Sequence, residues 1–199
     1  LGSATTSGSL GFELGTAFDA IALSGTGTFT VNAGGGFIDA KAIAGFGVGS
    51  YDIATGPAGF LSGGANLGLG TILLPGGFTY SLDYSDTTKL TLVAATAAAG
   101  DLFWTGDGAS ASWTALAGGN SNWSTAADGS AEAGFTPGAG NTVNFSATNA
   151  GAADINTSLD IPYSVAGLNI MNSGAGAVSI APGAGGTLTD GAGGLERSE

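Results

Sequence analysis

Along "GGFTYSLDYSDTTKLTLVA" apolar and polar residues alternate one for one. Phe78, Tyr80, Leu82 and Tyr84 fall on one side, and Thr79, Ser81, Asp83 and Ser85 on the other. A period of two puts alternate side chains on opposite faces of a strand. Asp86 to Lys89 supply a turn and Leu90 and Leu92 resume the alternation, so the pattern predicts a hairpin near residues 77–93. Shorter runs read the same way: "GTFTVNA" (Gly27 to Ala33), "GFIDAKAI" (Gly36 to Ile43), "TVNF" (Thr142 to Phe145), "GLNIMN" (Gly167 to Asn172) and "AVSIAP" (Ala177 to Pro182). Gly or Pro interrupts almost every window of ten, and Glu, Lys, Arg and Gln are scarce, so no helical stripe is sustained. The chain therefore reads as all-β. Strand spacings of roughly 8 to 12 residues suit a β-sandwich and repeats of roughly 20 to 25 suit a solenoid coil, and the spacing leaves both open.

Composition narrows the chemistry more than the architecture. The 39 glycines follow no Gly-X-Y period, which excludes collagen, and 43% hydrophobic residues supply the apolar surface that disordered chains lack. Fifteen acidic residues against three basic ones give a formal charge of -12. Lys41, Lys89 and Arg197 are too few and too far apart to make a phosphate-binding patch, so nucleic acid is not an expected partner. There is no cysteine and no histidine, which removes Ser-His-Asp and Cys-His sites and the usual nitrogen and sulfur ligands of zinc and iron. The most apolar run, "LTLVAATAAAG" (Leu90 to Gly100), falls well short of the ~20 residues that a transmembrane helix needs. The chain opens at Leu1 with no leader pattern, and the expectation is a piece of a longer protein.

After the hairpin comes a patternless run of small residues, 94–100, and then "DLFWTGDGASASWTALAGGNSNWSTAADG" (Asp101 to Gly129), which holds all three tryptophans. The expected organisation is a first segment, 1–93, ending in the hairpin; a linker, 94–100; a second segment, 101–194, with a Trp-rich opening; and a tail, 195–199. The tail is set apart because its charged residues break abruptly with the preceding composition.

At the second segment the motifs become specific. "W-T-G" at Trp104 to Gly106, Trp113, "N-W-S" at Asn122 to Ser124, "P-G-A-G-N-T-V-N-F" at Pro137 to Phe145 and "V-A-G-L" at Val165 to Leu168 together resemble the opening of a unit in the autotransporter-associated β-strand repeat proteins. Ser50 to Ala94 resembles the closing part of such a unit, and the likeness covers residues 45–194. It departs from the family at Asn141-Thr142, where an acidic residue commonly follows the glycine, and in the polar insertion Ala126 to Gly134. The resemblance implies a right-handed parallel β-helix in the passenger of a large bacterial surface or secreted protein. An extracellular or cell-surface location would follow, with the rest of a longer array as partner and the outer membrane reached only through other parts. Small aliphatic residues inside, Gly and Asn at corners and Thr and Ser outside suit such stacking.

The tryptophans carry the main site question. Burying an indole removes on the order of 150 to 250 Å² from water, so anchoring a core is the first reading. The rival is a carbohydrate-binding module in which Trp113, Asn122 and Trp123 present ring faces and amide donors to an extracellular polysaccharide. Carboxylate pairs for glycoside hydrolysis are poorly defined: Asp83 with Asp86 falls on a hairpin, and Asp101 with Asp107 runs into a "TGDG" turn. Neither the EF-hand spacing nor a glycine-aspartate calcium repeat appears, and no metal or cofactor is expected. The sequons at Asn122, Asn144 and Asn156 are no more than an Asn/Ser-rich chain produces by chance. The expected function is a noncatalytic structural or adhesive segment. The alternatives are the carbohydrate-binding module and an accessory region of a β-helical polysaccharide-processing enzyme.

Overall fold

A computed structural model of the chain describes every residue except 109, 118, 119, 147–154, 172–175, 184, 198 and 199. The protein is all-β; among the described residues the one helical element is a 3-10 turn at Gly64–Asn66. Two compact units divide the chain: Leu1–Ile72 with Tyr80–Ala95, and Leu73–Thr79 with Thr96–Glu199.

The first nine strands are β1 (Gly8–Leu14), β2 (Ile21–Ala22), β3 (Phe29–Thr30), β4 (Gly36–Ala42), β5 (Gly49–Thr55), β6 (Leu61–Ser62), β7 (Leu67–Leu73), β8 (Phe78–Asp83) and β9 (Lys89–Thr96). β1 lies parallel to β4, β2 to β5 and β3 to β6, with β7 on the far side of β4. Register partners are Gly8 with Gly36, Ile21 with Ala54 and Phe29 with Leu61, so the chain passes through each ladder once before returning to the first. The period of two works as expected in β4: Gly36, Ile38 and Ala40 are buried, while Phe37 and Lys41 are exposed. In register with them, Leu10 meets Ile38 and the buried Phe12 meets Ala40, where a large side chain faces a small one.

β8 and β9 are neighbours joined by residues 84–88, which is the expected hairpin, and β9 pairs antiparallel with β5 around a bulge between Asp52 and Ala54. Phe78, Tyr80 and Leu82 are half-buried while Thr79, Ser81 and Asp83 are exposed, as the alternation requires. Tyr84 lies beyond the strand end and is exposed. Two aspartates tie the turn: Asp83 accepts the backbone N–H of Ser85 at 2.9 Å, and Asp86 accepts the hydroxyl of Thr88 at 2.7 Å and its N–H at 2.9 Å. The Ser85 N–H holds the Asp83 carboxyl below its ordinary range, and the Thr88 hydroxyl and N–H do the same for Asp86.

Of residues 94–100, read from the sequence as a linker, 94–96 belong to β9 and 97–99 lie in no strand. Ala94 is buried within β9, Ala97 donates its N–H to the Gly77 carbonyl at 2.9 Å, and Gly100 opens the next strand. The remaining strands are β10 (Gly100–Trp104), β11 (Leu116–Ala117), β12 (Asn120–Ser121), β13 (Trp123–Ser124), β14 (Asn141–Ser146), β15 (Ile155–Leu159), β16 (Tyr163–Val165), β17 (Gly167–Met171), β18 (Val178–Pro182), β19 (Leu188–Asp190) and β20 (Leu195–Arg197). Asn172, expected at the end of a strand, lies outside the described residues. Three parallel ladders organise this unit: β10-β14-β17-β20, β15-β18 and β16-β19. Register partners are Thr142 with Gly167, Leu168 with Leu195, Ile155 with Val178 and Tyr163 with Leu188, a circuit of about 25 residues each time. The sheets stay open and mixed, since β13 joins the outer edge of β10 antiparallel. The parallel ladders run against the β-sandwich alternative, whose two sheets are antiparallel. Of the tail set apart on charge, Leu195–Arg197 pair in register with Leu168 to Ile170.

Backbone meets backbone where residues 76–77 approach residues 137–138. A Cβ on Gly76 would overlap the Pro137 carbonyl oxygen, and one on Gly138 would overlap the Gly77 Cα and lie 2.7 Å from the Gly77 nitrogen. Gly138→Ala should therefore cost about 2 to 3 kcal/mol in urea or thermal unfolding. Gly11→Ala, with nothing within 4 Å of the added atom, should be neutral or stabilising. The hairpin turn supplies a pH test. Because Asp83 and Asp86 titrate below the ordinary value of 3.8, their contribution is fully present above that pH and is lost as pH falls through the lowered folded values. Asp86→Ala should flatten the decline of the unfolding midpoint with acidification in that window.

Candidate functional site: the tryptophan-rich insertion

The ladders locate the insertion. β10 and β14 pair directly, yet the path from Gly100 to its partner Asn141 is far longer than the path from Thr142 to Gly167 or from Leu168 to Leu195 in the same sheet. The surplus folds back: Trp104 pairs antiparallel with Trp123, and Ser112 forms a parallel bridge to Ser158. Trp113 donates its N–H to the Ser158 carbonyl at 2.9 Å, and Ser158 donates to Ala111 at 3.0 Å. This segment thus occupies the edge of β15 opposite β18, where a preceding coil of the ladder would lie.

All three indoles turn inward and form one cluster with Phe145 and Tyr163. Centroids are 5.1 Å apart for Trp104 and Trp123, 5.0 Å for Trp113 and Trp123, and 5.1 Å for Trp113 and Tyr163, with interplanar angles of 80°, 78° and 62°. These are edge-to-face contacts, which place a positive ring edge against a negative face. Phe145 lies 5.9 to 6.2 Å from each indole. The Trp113 indole N–H reaches the Thr157 hydroxyl at 3.1 Å and that of Trp123 reaches the Trp113 carbonyl at 3.2 Å, so neither buried donor is lost.

The three residues expected as a polysaccharide platform are therefore placed otherwise. Trp113, Asn122 and Trp123 each have 0% of their surface exposed, so no ring face or amide is open to a sugar. Asn122 is fully used: its Nδ2 donates to the carbonyls of Ser110 and Ser112 at 2.7 Å each, and its Oδ1 accepts from Gly108 at 2.6 Å. It is the brace of the insertion. In a chain with so few large side chains, burial of these rings outweighs their display.

Polar residues brace the insertion and the strands beside it, and Asp160 and Glu132 among them lie in no quoted motif. Asp160, half-buried, accepts from the Ser112 hydroxyl and, at 3.3 Å, from that of Thr114. Glu132 accepts the Ser121 N–H at 2.8 Å, the Ser121 hydroxyl at 2.5 Å and the Gly134 N–H at 3.0 Å. Asn141, where the family pattern departs, donates to the Ala98 carbonyl at 2.9 Å and accepts from Gly138 at 3.0 Å. Asn144 and Asn169 occupy one register position of β14 and β17, and Asn169 donates to Asn144 at 2.9 Å. The only sequence signal for these roles is the closeness of Ser, Thr and Asn to turns.

The carboxylate pairs do not form clefts. Asp83 and Asp86 sit in the hairpin turn and Asp101 and Asp107 are exposed. Among the described residues no three of His, Cys, Asp and Glu gather to hold a metal. Of the sequons, Asn122 and Asn144 are buried and Asn156 is exposed. Fold and insertion together define a class: an all-β protein of in-register parallel ladders with an aromatic plug in its second unit. No family model, curated protein or solved structure matches the chain.

Trp113→Ala should cost about 3 to 5 kcal/mol in chemical unfolding, and Thr157→Val about 1 to 3 kcal/mol through the orphaned indole N–H. Acrylamide should quench the native tryptophan emission only weakly, and polysaccharides should leave it unchanged.

Proposed function

We propose that each unit is a stretch of parallel β-solenoid, the right-handed β-helix of the family resemblance. The chain then serves as a noncatalytic structural and adhesive segment of an extracellular passenger-type protein. The observation that carries this reading is the second unit's set of three parallel ladders, in which every step after the insertion makes a circuit of about 25 residues. A chain that visits the ladders in turn and returns one strand further on builds a stack whose outer positions repeat. Such a stack displays surface instead of enclosing a reaction centre. The Asn144–Asn169 contact and the Leu102, Val143, Leu168 row are like-on-like stacking of the kind that such coils require.

The partners on this reading are the neighbouring coils of a longer array and a polysaccharide at the cell surface or outside it. The acidic surface, at a formal charge of -12, keeps such an array soluble and disfavours anionic partners. The test is display: the chain, fused between a secretion leader and an outer-membrane translocator barrel, should reach the cell surface folded and resist mild proteolysis there. Retention inside the cell, or release of reducing ends from a polysaccharide panel by the purified chain, would overturn the proposal.

A further inference from the structure

The outward face of the β1-β4-β7 sheet in the first unit carries an aromatic ring that its core does not use. Phe37 is 42% exposed and has no aromatic neighbour among the described residues, whereas Phe46 spends a face on Tyr51 in a stack at 5.3 Å. The Cδ1–Cε1 side of the Phe37 ring rests against Gly68, 3.6 Å from where a Cβ would stand, which leaves the ring's other side to solvent. Two positions along β4, Asp39 leans the same way: its Oδ1 accepts the Thr71 N–H at 2.6 Å and fills the place that a Cβ on Gly70 would take. Both side chains thus lean toward β7.

The β1 side is left bare. Phe37 is in register with Ser9 and Asp39 with Gly11, and a Cβ on Gly11 would meet nothing within 4 Å. The result is a shallow trough of strand backbone along β1, walled by the ring and the carboxylate. It is closed at one end by the exposed ion pair of Glu13 and Lys41 at 3.7 Å, themselves a register pair. An aromatic ring beside a carboxylate, a hydroxyl and an ammonium group is the set that binds a pyranose: the ring takes the C–H face and the polar groups take the hydroxyls. Charge decides the class of sugar. Lys41 is already paired, and Glu13, Asp39 and the net charge of -12 repel uronate and sulfated polymers.

We propose that this trough binds a neutral polysaccharide, with Phe37 as the stacking platform, Asp39 as the hydroxyl acceptor and Gly11 as the floor that lets the sugar chain approach. The inference deepens the adhesive reading above and rests on it for its setting. It moves the sugar contact from the second unit's buried tryptophans to the first unit's sheet face.

The experiment is a titration of the isotope-labelled full chain with laminarihexaose, cellohexaose, mannohexaose and hexagalacturonate, followed by amide shifts. At least one neutral hexasaccharide should shift the amides of Ser9 to Glu13 and Phe37 to Lys41, and the acidic one should not. Phe37→Ala should weaken that binding by about ten-fold or more. Gly11→Val, which fills the trough without touching the ring, should abolish it with an unchanged or raised melting temperature. Shifts elsewhere, equal binding of the acidic sugar, or no response to any neutral one would overturn the proposal. So would a Phe37→Ala variant that melts lower yet binds as before, because the ring would then only cover the glycines. Surface display without catalysis tests the adhesive reading separately, so a displayed, inert chain that ignores every neutral sugar would defeat this inference alone.

Discussion

Parallel strands cannot be joined by a tight turn, and the rest of the structure depends on that constraint. Each strand of a parallel ladder is reached only after the chain has made a circuit through other strands. In the second unit the circuits from β14 onward are nearly equal in length, as the pairs Thr142 with Gly167 and Tyr163 with Leu188 show. Equivalent residues then fall above one another, and each layer is buried by the next. The row Leu102, Val143, Leu168, Leu195 shows the dependence: the first three are buried, and the fourth, with no strand beyond it in the sheet among the described residues, is 64% exposed. Side-chain burial here is a property of neighbours in the ladder and not of position along the chain.

The aromatic plug answers the same constraint at the other end of those ladders. β15 has β18 on one side and, on the other, only the bridge at Ser112 among the described residues. A regular coil of small residues could not cover Ile155, Tyr163 and Phe145 there. The longer circuit between Gly100 and Asn141 carries the bulk that is missing elsewhere, and Trp113 and Trp123 fill the space against Phe145 and Tyr163. Its irregular backbone has few ladder partners of its own. Asn122, Glu132 and Asp160 take their place, each accepting N–H or O–H donors from the insertion and so fixing its path.

What could be read from the sequence follows from the same physics. The hairpin of β8 and β9 and the strands β4, β14, β17 and β18 were legible because alternation of side chains is a local signal. The two-residue strands β2, β3 and β6 carry too little alternation to stand out except where a longer run, such as Gly27 to Ala33, encloses one. Pairing direction is not local, and nothing in "GFIDAKAI" says that its neighbour is Gly8–Leu14 and runs parallel. The weight of the tryptophans was legible from their scarcity, but their exposure was not: "NWS" reads equally as a sugar contact or a brace until Ser110, Ser112 and Gly108 are seen around Asn122. Phe37 was hidden for a related reason. Its run predicts that the residue lies on one face of a strand, but only Gly11, Gly68 and Gly70 on the flanking strands leave the ring uncovered beside bare backbone.

The carboxylates complete the logic. With three basic residues in the chain, ion pairing cannot satisfy fifteen acidic ones, and among the described residues two pairs form, Lys41 with Glu13 and Lys89 with Asp52. Elsewhere the fold satisfies carboxylates with backbone and hydroxyl donors, as the Asp-x-Ser/Thr turns at Asp83, Asp86 and Asp128 do. Such turns neutralise nothing; they position a charge while leaving it on the surface. A molecule built this way keeps a negative exterior whatever its partner, and charge attraction is not available to it for binding polyanions. On the reading proposed above, recognition falls to exposed rings, hydroxyl-accepting oxygens and bare strand backbone, which is the chemistry that uncharged sugars require.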